Sequence, residues 1–171
     1  ALPIFEVYAD AAKVELLING KSLECKKVKD ARAIFKTTYV TGNVEAVSYD
    51  AAGKEIGRSR LQSAKNASLH LVPEKKEVSV GEIVYVKAMI ADDSGNVESN
   101  QDSKIQLTVE GGELLGFGSA NPRTEERFDA GEYTTYYGNA LAVIRVTDAN
   151  AVTVQAKTED GSLVECRIPV I

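Results

Sequence analysis

The chain has 171 residues, of which 44% are hydrophobic and 26% are charged, and its formal net charge at pH 7 is −5. This composition is ordinary for a globular protein, and the length allows one large domain or two small ones. An acidic chain lacks the basic face that phosphate binding requires, and no apolar run approaches the roughly 18 residues of a membrane span. The sequence therefore predicts neither a nucleic acid nor a membrane as a partner.

Apolar and polar residues alternate along the first part of the chain, and turn signals divide the alternation into strands. "KVELLING" predicts a strand that ends in a hairpin turn at Asn19-Gly20, because both residues tolerate positive φ. "ARAIFKTTYV" and "VEAVSYD" predict two more strands, separated by a turn at residues 41–43. Gly53 predicts a third turn, with another strand after it.

The second part of the chain continues in the same style. "EIVYVKAMIA" predicts a strand that runs into a turn at residues 93–96, and "KIQLTVEGGELLGFG" predicts two strands joined at Gly111-Gly112. The C-terminal stretch from residue 139 predicts three strands with turns at residues 148–150 and 160–161. Turn signals spaced by about 8 to 12 residues, with no sustained helical stripe, indicate an all-β fold.

The boundary between two units is predicted in "QSAKNAS", residues 62–68, where the charge balance changes sign. Residues 1–67 contain 11 basic and 8 acidic residues, whereas residues 68–171 contain 9 basic and 17 acidic residues. We therefore predict two consecutive Ig-like antiparallel β-sandwich domains, at residues 1–67 and 68–171. The first is small enough to be marginally stable alone, so we expect it to depend on a neighbour or a partner.

Two cysteines, one in each half, are predicted to be small core residues. Neither Cys25 nor Cys166 has a CxxC partner, so the sequence predicts no zinc site, and a disulfide would need their Cα atoms within about 7 Å. His70, the only histidine, alternates with Leu69 and Leu71 and is predicted at an exposed strand position. With no G-x-S-x-G pattern, the sequence predicts no serine hydrolase centre.

An oxygen-rich turn, "ADDSGNVE", raises the question of a metal. Its side chains are of the type that calcium accepts, namely Asp92, Asp93, Asn96 and Glu98. The loop spacing of an EF-hand is absent, and Asp-Ser-Gly-Asn is also common hairpin chemistry. We predict a turn without metal, with calcium as the alternative.

The stretch "LLGFGSANPRTEERF", residues 114–128, contains a G-x-G element and two adjacent glutamates. The third glycine and the helix of a dinucleotide loop are absent, and Pro122 removes a backbone donor. Glu125 and Glu126 would point to opposite faces of an extended strand, whereas catalytic carboxylates must converge on one bond about 5–9 Å apart. The sequence therefore predicts no catalytic residue and no cofactor.

Aromatic residues are concentrated in the second half, at Phe117, Phe128, Tyr133, Tyr136 and Tyr137. Sugar-binding modules use exposed aromatic faces as stacking platforms, most often tryptophan, and this chain has none. Core packing with anchored hydroxyls is therefore the favoured interpretation, with a sugar platform as the alternative.

Two groups of motifs resemble one family. "VELLINGKSLECKK" and "TGNVEAVSYDAAGKEIGRSRLQSA" resemble the module that follows the catalytic barrel in family 2 glycoside hydrolases of the β-galactosidase-like type. The stretch from Gly116 to Pro122, with Glu125, Phe128 and "YGNALA" from Tyr137, resembles the next Ig-like module of these enzymes and also invasin-type Ig-like domains. The resemblance covers nearly the whole chain.

The resemblance implies a non-catalytic C-terminal region, because the family's catalytic glutamates lie in a barrel that nothing here matches. It implies packing, oligomer contact or shaping of the substrate entrance, with the catalytic barrel, another subunit or carbohydrate as partners. A carbohydrate-binding module and an adhesin-like stalk are the alternatives. A periplasmic or secreted location is implied, with the cytoplasm as the alternative.

From the same resemblance we expect Gly116 and Gly118 to form a tight turn between strands, fixed by Asn121 and Pro122, with Phe128 packed under it. The candidate residues for contact with a partner or a sugar are Phe117, Asn121, Pro122, Glu125, Tyr136 and Tyr137.

Overall fold

A computed structural model describes residues 4–147 and 150–171. Within these ranges the chain forms fourteen strands and no helix, which confirms the predicted all-β class. The strands are β1 Ile4–Tyr8, β2 Lys13–Ile18, β3 Lys21–Lys27, β4 Arg32–Lys36, β5 Asn43–Tyr49, β6 Glu55–Gln62, β7 Ser68–Pro73, β8 Ile83–Ala91, β9 Lys104–Glu110, β10 Gly112–Gly118, β11 Glu132–Thr134, β12 Asn139–Val146, β13 Ala151–Thr158 and β14 Leu163–Pro169.

The strands fall into two compact units, Ala1–Ser63 and Ala64–Ile171. The division lies a few residues before the predicted boundary between residues 67 and 68, which stays a prediction. In the described residues, no helix is long and apolar enough to cross a membrane.

The first unit pairs a four-stranded antiparallel sheet, in the order β3-β2-β5-β6, with a two-stranded sheet of β1 and β4. Alternation along β2 turns Val14 and Leu16 towards the small sheet, where they pack with Ala33 and Phe35 of β4. These four side chains form the whole buried cluster of the unit, so its core is small.

One asparagine joins two of the predicted turns of the first unit. Asn19 and Gly20 both have positive φ, at 51° and 78°, which confirms the hairpin between β2 and β3. The Asn19 side chain also donates to the carbonyl oxygen of Thr41 at 3.0 Å and accepts from the amide of Asn43 at 2.8 Å. A Cβ atom on Gly42 would lie 2.0 Å from Asn19 Oδ1, so only glycine fits beside this clamp.

The second unit is a sandwich of two four-stranded antiparallel sheets, in the orders β10-β12-β8-β7 and β11-β9-β13-β14. Alternating side chains of both sheets meet between them and form one continuous core, whose largest buried members include Tyr133, Phe117, Ile105 and Ile144. The turn at Gly111 between β9 and β10 has positive φ, as does Gly161 between β13 and β14. Of the turn predicted at residues 148–150, Asp148 and Ala149 lie outside the described residues.

The cysteine prediction was half wrong. Cys25 is exposed, because it lies on β3 at the edge of its sheet, where nearly every residue is exposed. Cys166 lies on β14 and packs partly buried against the core of the second unit, and this burial raises the pKa of its thiol. Both thiols are free.

Candidate interaction site

An open groove lies on the outer face of the β10-β12-β8-β7 sheet, with a cavity volume of about 540 Å³. Gly116, Gly118, Leu141 and Val143 form its floor, and the rim carries Lys87, Phe128, Tyr136 and Asn139. We call this surface the groove. Apart from Lys87, no charged residue of the described chain borders it.

The pairing of the strands explains the apolar floor. Gly118 on β10 lies opposite Leu141 on β12, which lies opposite Lys87 on β8. Strand β12 turns Ala140, Ala142, Ile144 and Val146 into the core, so alternation turns Leu141 and Val143 outward. From Ala140 to Ile144 this strand is therefore apolar on both faces, a pattern typical of strands covered on both sides, whereas Asn139 and Arg145 are polar near its ends.

Gly116 and Gly118 do not form the predicted turn, and that prediction was wrong. Both lie inside β10 and pair with β12, after a bulge between Leu114 and Gly116. A Cβ atom on Gly118 would lie 2.2 Å from Cδ1 of Phe128. The missing side chain therefore leaves room for the Phe128 ring to lie across the strand.

Phe128 forms the wall of the groove. Its carbonyl oxygen accepts from the amide of Phe117 at 2.8 Å, which ties its backbone to β10. Its ring stacks on Tyr133, with ring centroids 5.2 Å apart and planes 9° apart, yet the residue remains 59% exposed. Beside it, the buried hydroxyls of Tyr133 and Ser119 have no hydrogen-bond partner within the described part of the chain.

The loop between β10 and β11 is held by its own polar side chains. Asn121 Oδ1 accepts from the amide of Arg123 at 2.9 Å, an Asx-type turn. Glu126 Oε1 accepts from the amide and the hydroxyl of Thr134 at 3.0 and 2.8 Å. Glu126 therefore anchors the loop, which is irregular backbone and not the extended strand expected around the two glutamates.

The two tyrosines of the candidate set form a strained turn at the rim. Tyr137 and Gly138 both have positive φ, at 49° and 70°, and the rings of Tyr136 and Tyr137 are 4.4 Å apart between centroids. Asp102 Oδ1 accepts from the amide of Gly138 at 3.0 Å and fixes the turn. A hydrogen bond with Tyr137 raises the pKa of Tyr136.

The candidate residues are thus only partly brought together. Tyr136 borders the groove, and Asn121, Pro122 and Glu125 lie in the loop after β10. Phe117 also borders the groove, but its side chain is fully buried in the core, so its ring offers no contact surface, and the prediction for this side chain is corrected. The sequence reasoning missed Lys87, Leu141 and Val143, although the unbroken apolar run from Ala140 to Ile144 in β12 was a signal.

The oxygen-rich turn is a backbone clamp. The Asp92 carboxylate accepts from the amides of Lys65, Ser94 and Asn96, at 3.0, 3.0 and 2.9 Å, and from the side-chain amide of Asn96. The hydrogen bond from the Asn96 side chain is the main cause that lowers the pKa of Asp92 to about 2. These donors occupy the oxygens that calcium would need, and the described residues contain no group of three or more ligands for a metal.

The outer face of the β3-β2-β5-β6 sheet in the first unit has a different chemistry, and we call it the charged face. Glu45 accepts from Arg58 at 2.5 Å and from Arg60 at 3.1 Å, and its side chain is only 9% exposed. The hydrogen bond from Arg58 is the main cause that lowers the pKa of Glu45. Val47, which pairs with Glu15 and Arg58 on this face, is fully buried.

The family follows from comparison with known proteins. Residues 69–165 match the family model of the glycoside hydrolase family 2 C-terminal domain 5. The chain belongs to this family. Residues 4–57 match a second family, described as a domain of unknown function, DUF4982. The predicted resemblance to C-terminal modules of family 2 glycosidases is confirmed.

The relatives of this family 2 chain are much longer than the chain itself. A β-galactosidase of Bacteroides ovatus, BoGH2A, is 27% identical over 144 residues, which are 81% of this chain and 17% of that protein. A solved family 2 member from Bacteroides cellulosilyticus is 26% identical, with a TM-score of 0.88, over 98% of this chain and 24% of the other. A β-glycosidase from Bacteroides vulgatus, at 22% identity and a TM-score of 0.82 over 99% of this chain and 22% of that one, shares the fold.

Proposed function

We propose that this chain is a non-catalytic C-terminal region of a β-galactosidase-like family 2 glycoside hydrolase. In this proposal, two sandwich modules pack against the part of the enzyme that carries the catalytic barrel and support its assembly. The likeness to the B. ovatus β-galactosidase carries the proposal, since it spans 81% of this chain but only 17% of that enzyme.

The chemistry of the described residues supports a structural role. Glu126 holds a loop, Asp92 holds a turn, and Glu45 is shared by two arginines, so each of these carboxylates is engaged by donors of its own module. The groove is lined mostly by apolar side chains and glycine, which makes it suited to contact rather than to proton transfer. A periplasmic or secreted location stays a prediction from the resemblance.

The test uses the complete gene product. We expect the whole protein to hydrolyse p-nitrophenyl β-galactoside, and the 171-residue chain alone to leave it intact. Removing residues 1–171 from the whole protein should lower its thermal midpoint or change its oligomeric state, measured by calorimetry and light scattering. A whole protein that hydrolyses no β-glycoside would contradict the proposal, as would hydrolysis by the 171-residue chain alone.

A further inference from the structure

We propose that the groove is the surface on which the remaining part of the same polypeptide docks. This inference rests on the proposed function, because it takes the chain to be one region of a longer family 2 glycosidase. It goes further by naming the contact surface and the chemistry of the segment that covers it: an apolar segment that brings one carboxylate to Lys87.

The first argument is the apolar character of an outer sheet face. Leu141 is 38% exposed, and Tyr85 and Val72 on the neighbouring strands are also exposed to solvent. Tyr85 pairs with Val143 of the floor, and Lys87 lies between Leu141 and Val72, so apolar residues of β12, β8 and β7 surround this one lysine. Isolated exposed apolar residues are common, but a cluster of them beside a concave apolar floor is typical of an interaction site.

The second argument is charge. Lys87 borders the groove and makes no ion pair or side-chain hydrogen bond within residues 4–147 and 150–171. Residues 68–171 contain 9 basic and 17 acidic residues, yet no acidic residue of the described chain borders the groove. A carboxylate on the covering segment would pair with Lys87, and its burial there would strengthen the pair.

The third argument is the strained backbone at the rim. A non-glycine residue rarely adopts positive φ, and a tyrosine there is a true outlier, yet Tyr137 has φ of 49° and remains 59% exposed. Within the described chain, the partner of this side chain is the neighbouring Tyr136. Strain of this kind is concentrated at functional sites, where an exposed aromatic group has a use.

The relatives point to the occupant. The solved B. cellulosilyticus protein carries the same fold over 98% of this chain as only 24% of its own length, so this fold occurs as part of a much longer polypeptide. A segment of that polypeptide is present at a fixed high effective concentration, which favours docking on an adjacent module. A sugar would need several hydrogen-bond partners, whereas the floor here is carbon and glycine backbone.

The test measures access to the groove in the complete glycosidase. Leu141→Cys is placed in the floor, and Leu163→Cys, on the edge strand of the opposite sheet where the leucine is 61% exposed, is the matched control. Both variants are treated with iodoacetamide, and peptide mass spectrometry separates the new cysteine from Cys25 and Cys166. Because Lys87 pairs with position 141 and favours the thiolate, an uncovered Leu141→Cys would react at least as fast as the control.

We expect labelling of Leu141→Cys to be slower by at least about tenfold than that of Leu163→Cys, at every protein concentration, since docking must open before the thiol reacts. Equal rates would overturn the inference. So would protection that disappears on dilution, which indicates a second copy, or protection that requires an added β-galacto-oligosaccharide, which indicates a sugar site.

Hydrolysis of p-nitrophenyl β-galactoside by the same preparations separates this inference from the proposed function. Equal labelling in an active enzyme would contradict docking alone. A protected Leu141→Cys in a protein that hydrolyses no β-glycoside would contradict the proposed function and leave the docking surface in place.

Discussion

The charged face of the first unit and the groove face of the second are both outer faces of four-stranded antiparallel sheets. On the charged face, Glu45 binds Arg58 and Arg60, and Tyr49 donates to Glu15 at 2.8 Å. On the groove face, Leu141 lies between Gly118 and Lys87, and Val143 lies between Gly116 and Tyr85. The two sheets have the same number of strands. The outer side chains of the charged face bind one another, whereas those in the floor of the groove are apolar and form no such bonds.

This difference shows two ways of completing a sheet. On the charged face, Glu15 and Arg58 lie opposite Val47 on the two neighbouring strands, and this valine is fully buried. Long charged side chains cover apolar surface with their aliphatic stems while their charged groups stay in water. The groove face has one such ion pair, between Arg145 and Glu113, and its valine, Val143, stays half-buried. A sheet face whose apolar residues are already covered needs no partner. An exposed apolar face is stabilised when a partner removes it from water.

The largest expected effect is on the free energy of unfolding, when Val47 of the charged face and Val143 of the groove are each replaced by alanine. Val47→Ala leaves a cavity under the charged side chains, so we expect it to lower the free energy of unfolding by about 1–3 kcal/mol. Val143→Ala removes a side chain that is already partly in contact with water, and we expect it to cost less than about 1 kcal/mol. Urea denaturation of the 171-residue chain, followed by circular dichroism, measures both.

Similar losses for the two variants would break the comparison, because they would mean that the charged side chains do not form a closed layer over Val47. A larger loss for Val143→Ala in the complete glycosidase than in the 171-residue chain would instead sharpen it. That result would show that Val143 becomes buried only in the longer protein.

A smaller effect concerns the ion pairs of the charged face. The folded-state pKa of Glu45 lies below its ordinary value of 4.5, mainly because Arg58 donates to the carboxylate. The stabilisation is therefore complete above pH 4.5 and is lost as the pH falls below 4.5 towards the folded-state pKa. We expect Glu45→Gln to lower the urea midpoint at pH 7, and the difference from the wild type to shrink between pH 5 and pH 3.

Lys87→Gln on the groove face is the matched control, because Lys87 has no ion pair in the described residues. We expect its urea midpoint in the 171-residue chain to equal that of the wild type at each pH. A Glu45→Gln difference that stays constant down to pH 3 would show that the ionised carboxylate does not stabilise the charged face.

Local patterns predicted most of the strands and the hairpins. The Asn19-Gly20 turn needs two adjacent residues that tolerate positive φ, and this requirement is visible in the sequence. The additional role of Asn19 was not visible, since its side chain closes a second turn at Gly42, 23 positions further along the chain. Contacts of this kind depend on which strands become neighbours, and alternation does not specify that.

The groove was missed for the same reason. Gly116 and Gly118 have the composition of a turn, but β10 pairs with β12, and the loop that follows returns Phe128 across Gly118. The need for glycine at position 118 is therefore set by a residue ten positions away in the sequence. One local signal was present in β12. Leu141 and Val143 are apolar at outward positions, where alternation predicts polar residues.

The smallest expected effect tests the strained rim of the groove. Asparagine tolerates positive φ better than tyrosine, so Tyr137→Asn should relieve the backbone while losing the ring contact with Tyr136. We expect the 171-residue chain to be unchanged or more stable by up to about 1 kcal/mol in urea denaturation.

Tyr137→Ala is the control, because it loses the same ring and keeps a side chain that positive φ disfavours. Alanine should therefore be less stable than asparagine at this position, and equal stabilities would show that the backbone of Tyr137 is not strained. The hairpins of the charged-face sheet contain one non-glycine residue with positive φ, Asn19, and asparagine tolerates this conformation. Of the two faces, the poorly tolerated case is therefore Tyr137, at the rim of the groove. An unfavourable backbone conformation at the uncovered face is expected of a docking surface. A face that needs no partner would gain nothing from keeping it.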